Sequence, residues 1–122
     1  MTMKNHDRYI QRTIDIASTS TYRWQLGSLI VNNGNVLSWA TNKFRNPPSL
    51  NHLHATTHAE MAALRQCLCA AKGGTIYVAR VNRLGESRLA RPCDACLNGL
   101  TLAGIRRIIY TTNDGTYQFE RL

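Results

Sequence analysis

Two short segments constrain this chain more than any other feature: Thr57-His58-Ala59-Glu60 and, further on, Pro92-Cys93-Asp94-Ala95-Cys96. Each stands at the start of a stretch with helical apolar spacing. Met61, Leu64 and Leu68 follow the first, and Leu97, Leu100 and Ala103 follow the second. The spacing predicts one helix from Thr57 to about Lys72, stopped by Gly73-Gly74, and another opened by Pro92 and ended by Gly104. Ile76 to Ala79 reads as a strand between them, and Arg107 to Thr111 as a strand after the second. Strands alternating with helices build crossover units, so these two strands are expected to be parallel inside a mixed sheet with helices on both faces. Both segments then fall at helix N-termini.

The remaining segments fit that frame. Tyr9, Ile10, Thr13, Ile14, Ile16 and Ala17 give an apolar stripe over about His6 to Ala17, a first helix lying on the sheet. Leu26 to Val31 and Val36 to Ala40 read as two strands joined at Asn32-Asn33-Gly34-Asn35, a hairpin signal because Asn and Gly tolerate positive φ. Thr41 to Thr56, with Pro47-Pro48, has no periodicity and reads as a functional or mobile loop. Arg80 to Arg91 is a second irregular segment, with Arg80, Arg83, Arg88 and Arg91 against Glu86. Past Asn113-Asp114-Gly115 there is room for a short fifth strand or a tail. The expected fold class is α/β, a three-layer α/β/α arrangement with a mixed sheet of four to five strands, in a single domain over residues 1–122.

A chain of 122 residues buries enough surface to fold without disulfides. Four cysteines, with no apolar signal segment and no run long enough to cross a bilayer, point to a reducing cytoplasm and no membrane partner. The cysteines are then ligands or buried thiols. The net charge is +8, and twelve of the fifteen basic residues are arginine, whose planar fork suits phosphate. The excess leans toward nucleotides or nucleic acid.

Together the two segments supply one imidazole and two thiols, three ligands of the kind zinc prefers, and a carboxylate two residues from the imidazole. A catalytic zinc site uses three protein ligands and leaves a fourth position for water. Residues two apart on a helix point to different sides, so His58 and Glu60 can share a metal only beyond the helix end. Cys93 and Cys96, in the first turn of their helix, are expected to have lowered thiol pKa values from the positive end of the dipole. Plainer readings exist. Thr57-His58-Ala59-Glu60 is also a capping box, with Glu60 bonding back to Thr57. Cys-x-x-Cys alone is ambiguous between a redox pair and a metal site. Their joint occurrence at two helix starts favours the metal.

With those residues in hand, the chain resembles the zinc-dependent cytidine/deoxycytidylate deaminase superfamily, whose H-x-E…P-C-x-x-C signature it carries. The resemblance extends in order of elements over about residues 24 to 111. It implies that His58, Cys93 and Cys96 hold Zn2+ and that Glu60 shuttles protons in hydrolytic removal of an amine from a nucleobase. His58 and the run Ala103 to Tyr110 look like the deoxycytidylate and tRNA-adenosine deaminase branch. It further implies a cytosine nucleotide substrate, a homo-oligomer, and an Asn near the sugar, for which Asn42 is the match by position. Ala59, between the two motif residues, and Arg91, at the end of the arginine-rich segment, complete the candidate substrate contacts.

Two other functions stay open. The base could lie within single-stranded DNA or RNA, with the arginines tracking the backbone. Alternatively zinc could be structural, with His52 or His54 as a fourth ligand in a binding module. His52 and His54 read more simply as solvated loop residues. Cys67 and Cys69, two apart on a helix, cannot chelate together and read as buried or half-buried thiols.

Overall fold

The computed structural model describes residues 3–20, 25–44, 56, 57 and 59–122. Their elements are α1 (Met3–Ser18), β1 (Gln25–Asn32), β2 (Asn35–Thr41), β3 (Lys43–Phe44), β4 (Thr56–Thr57) and α2 (Ala59–Cys67). A 3-10 turn (Leu68–Ala71), β5 (Thr75–Val81), β6 (Ser87–Arg88), α3 (Asp94–Leu102), β7 (Arg107–Thr111) and β8 (Tyr117–Arg121) follow. Among these residues the main sheet has six strands in the order β2-β1-β5-β7-β8, with β6 also paired to β5. β5 and β7 are parallel, as their α3 crossover requires, and the other pairs are antiparallel.

Alternation along the strands sorts side chains into two cores. Leu29 and Val31 of β1, Tyr77 of β5 and Ile109 of β7 pack with Tyr9 and Ile10 of α1. Ala79 and Val81 pack with Ala17. The intervening residues Ile30, Ile76, Val78, Ile108 and Tyr110 pack with Ala63 and Leu64 of α2 and Leu100 of α3. The result is three layers, α/β/α. Burial on both faces explains why β5 is nearly continuous in apolar residues. Under α1 the buried polar groups are satisfied: His6 Nδ1 lies 2.8 Å from the Tyr77 hydroxyl, and Thr13 Oγ1 donates to the Tyr9 carbonyl at 2.7 Å.

The β1-β2 hairpin turns at Asn33 and Gly34, both at positive φ (52° and 76°), as the Asn-Gly pair predicts. Gly27 meets a different demand. A Cβ there would lie 2.6 Å from the Ala17 nitrogen and 2.9 Å from its Cα, so α1 can cross β1 only over a bare backbone. Gly27→Ala is expected to destabilise the protein by about 1–3 kcal/mol, the usual cost of overpacking against backbone. A urea midpoint equal to that of the wild type would show that α1 can lift without cost.

Three expectations are corrected and one open reading is decided. The sheet has six strands, not four to five, because part of the segment read as irregular returns as β6. Asn82 makes this turn: its Oδ1 accepts from the Leu84 and Glu86 amides, and its N–H donates to the Glu86 carbonyl. The residues after Gly115 form β8, an edge strand on β7. The helix expected to reach Lys72 is α-helical only to Cys67 and tightens into the 3-10 turn, a common way to end a helix. Pro92 does not open α3; the first helical residue is Asp94 and Cys93 is its N-cap. Of the Thr41 to Thr56 loop, Lys43–Phe44 pairs with Thr56–Thr57, and His52 and His54 lie outside the described residues. Among the described residues no helix is long and apolar enough to cross a membrane.

Candidate active site

Two strand serines set the position of α2. Ser28 Oγ donates to the Ala59 carbonyl (2.7 Å), and Ser38 Oγ donates to the Ala63 carbonyl (2.8 Å). Ala59 and Ala63, four apart on one helix face, are fully buried, so the helix backbone sits close against the sheet. Hydroxyls buried at such a contact are tolerated because both are bonded. Glu60 follows directly at the start of α2 and is only 5% exposed. A carboxylate that well buried in the first turn is where the helix dipole favours negative charge.

α3 presents its start to the same place. Cys93 has extended backbone (φ −69°, ψ 166°), its carbonyl accepts from Leu97, and its side chain makes no capping bond. Cys93 is exposed and Cys96 buried. Gly99 lets the two helices approach, since a Cβ there would meet the Met61 side chain at 3.0 Å. Burial pushes the Cys96 thiol pKa well up, the Glu60 carboxylate pushes it further, and a hydrogen bond with Cys93 adds to the rise. The carboxylate is near enough to act on Cys96, and the two thiols are within hydrogen-bonding reach of each other. The lowering expected from the helix dipole is outweighed for Cys96 by desolvation and a neighbouring anion.

This donor set fits a zinc ion. Two soft sulfur donors lie within reach of each other near a buried carboxylate, and a divalent ion supplies the charge that lets both thiols ionise. His58, the third expected ligand, lies outside the described residues, and among those described no three metal-binding side chains gather in one place. No disulfide joins the four cysteines, all of them described. Cys67 is half-buried, and Ser38 Oγ lies 3.4 Å from its sulfur; Cys69 is exposed.

Two expected substrate contacts have structural duties. Asn42 is 5% exposed, and its Oδ1 accepts from the Leu26 amide (3.0 Å) and the Ser20 hydroxyl (2.8 Å), tying the end of β2 to the start of β1. Arg91 clamps Glu120 of β8, with Nε 2.7 Å and Nη2 3.3 Å from its two oxygens, and the Tyr110 hydroxyl donates to the same carboxylate at 2.6 Å. That engagement lowers the Glu120 pKa. Ala59 sits at the site, beside Glu60. Ser28 and Ser38 went unread in the sequence, where the available signal was two serines amid apolar strand residues.

A buried carboxylate and two neighbouring thiols at the starts of two helices fit a metal-dependent hydrolase. The sequence profile of the cytidine and deoxycytidylate deaminase zinc-binding region matches residues 3–112, and the chain belongs to that family. It is a deaminase with zinc as cofactor. Similar solved structures include a dCMP deaminase from the cyanophage S-TIM5, with 20% identity over 90% of this chain and 84% of that one and a TM-score of 0.68. A cytidine deaminase from Burkholderia pseudomallei has 21% identity over 99% and 93% of the two chains, with a TM-score of 0.72. A tRNA deaminase studied for adenosine-to-inosine editing at the wobble position has 24% identity over 87% and 75%, with a TM-score of 0.59. At such identities the likeness is one of fold. A search of curated protein sequences returned no match.

Proposed function

We propose that this chain deaminates cytosine in a cytosine mononucleotide, acting as a single domain over residues 1–122. The observation that supports this most is Glu60, buried at the start of α2 and near enough to act on Cys96 at the start of α3. In this reading His58, Cys93 and Cys96 hold the zinc. Zinc, when bound, supplies the charge that makes water acidic enough to ionise near neutral pH. Glu60 takes a proton as the water oxygen bonds to the amine-bearing ring carbon and delivers it to the ring nitrogen; it then carries the proton of the new hydroxyl to the amine, so that the carbon–nitrogen bond breaks, ammonia leaves and the carbonyl forms. The products are uracil nucleotide and ammonia. Ala59 lines the ring's approach. Asn42 shapes the rim through the strand ends it joins, and Arg91 positions the segment leading into Cys93 through Glu120.

The net charge of +8 favours a second substrate, cytosine or adenine within single-stranded nucleic acid. Four unbridged thiols support a cytoplasmic setting. A product screen by mass spectrometry separates the substrates. The expected result is the mass shift of an amine-to-carbonyl exchange on cytosine mononucleotides. A shift confined to oligonucleotides or to adenine compounds would replace this reading with the second.

A further inference from the structure

Arg80 of β5 lies directly opposite Arg88 of β6, and its other neighbour across the sheet is Leu26 of β1. Its flanking residues Ala79 and Val81 pack under α1, whereas Val78 packs under α2 and α3. Alternation therefore places Arg80 on the α2/α3 face, one step beyond Val78, and directly opposed residues share a face, so Arg88 stands beside it. The level along the strand is also determined. Ser28, which bonds the first residue of α2, is paired with Val78, while Asn32, at the far end of β1, bonds the Ala70 and Lys72 carbonyls beyond α2. The N-terminal end of α2 thus faces the end of β5 where the two arginines stand, and the chain passes from there through β6 into Cys93.

The pair has little acidic counter-charge. Like charges directly opposite in a sheet repel. The Glu86 carboxylate comes only to 3.8 Å of Arg88, with both side chains substantially exposed, a pairing of small worth. Arg88 also donates to the Ser87 carbonyl at 2.9 Å. Arg80 has no acidic partner within 4 Å among the described residues. The backbone beneath is stitched through Thr111, whose Oγ1 accepts from the Arg80 amide (3.1 Å) and donates to the Arg88 carbonyl (2.7 Å). Two arginines at opposed positions on one face of the sheet, with a single weak acidic pairing between them, suit one phosphate monoester with its several oxygens.

We infer that Arg80 and Arg88 bind the phosphate of the mononucleotide substrate and make the enzyme prefer nucleotide to nucleoside. The inference rests on the deaminase reading above. It moves the phosphate contact from Arg91, which Glu120 occupies, to this cross-strand pair.

Zinc-loaded wild type, Arg80→Gln, Arg88→Gln and the double variant are assayed on deoxycytidine and its monophosphate. Each single change is expected to raise KM for the monophosphate about tenfold or more, the scale of a lost charge-assisted hydrogen bond, and the double change further. KM for the nucleoside should move far less. Melting temperature should hold or rise, because one of two opposed like charges is gone; a merely structural role would lower it. An unchanged KM for the monophosphate, or equal rises for both compounds, overturns the inference. So does loss of affinity for a deoxycytidine oligonucleotide with the monophosphate KM intact, which would make the pair a strand contact. If wild type turns over neither compound, the cytosine-nucleotide reading fails, and calorimetry with deoxyuridine and its monophosphate decides the phosphate site. A preference for the monophosphate that the double variant loses upholds the site, and no preference in wild type overturns it.

Discussion

Glu60→Gln is expected to cut deamination by about a hundredfold or more while leaving zinc content and melting temperature near wild type. Glutamine keeps the length and planar end of the side chain, so it keeps the packing of a residue only 5% exposed at the start of α2. It cannot take up and release a proton. A hundredfold loss corresponds to about 2.7 kcal/mol of transition-state stabilisation, within the range for a removed acid-base group. Three measurements on one preparation check this: turnover, zinc by elemental analysis and a thermal melt. Normal turnover by the variant would return Glu60 to the role of a helix cap and sink the proposed mechanism.

Cys93→Ser and Cys96→Ser are both expected to lose zinc, yet to differ once zinc is removed by a chelator from all the proteins compared. Cys96 is 3% exposed, and serine there buries a hydroxyl in place of a thiol adapted to the space, at a cost of about 1–3 kcal/mol if the hydroxyl stays unbonded. Cys93 is an N-cap with extended backbone and no capping bond from its side chain. Serine is a preferred N-cap, so the same substitution there should be neutral or stabilising by up to about 1 kcal/mol. With zinc present both variants should melt below wild type, because an ion that binds only the folded state no longer contributes. Elemental analysis and melts with and without chelator test both halves. Full zinc in either variant overturns the ligand assignment, and equal melts under chelation overturn the account of the caps.

Much of this was legible before any coordinates. Asn33-Gly34 announced its turn because positive φ is a property of single residues. The α1 and α2 stripes were visible because helical contacts recur within a few positions. The parallel pairing of β5 with β7 followed from a helix lying between two strands. The zinc motif was readable for the same reason, since each half is a short run with its own spacing.

The rest depended on partners distant in the chain. β6 has two residues, too few for any period to register, and exists because Asn82 turns the chain back and Thr111 and Thr112 receive it. The seating of α2 on Ser28 and Ser38, the capture of Arg91 by Glu120, and the use of Asn42 as an anchor all join residues more than a dozen positions apart. The amino-acid sequence by itself determined which chemistry the chain carries, because donor atoms and their local spacing are written residue by residue. Which arginines stand opposite one another was decided by tertiary structure, because the face and level of a strand residue are set by hydrogen-bond register across the sheet.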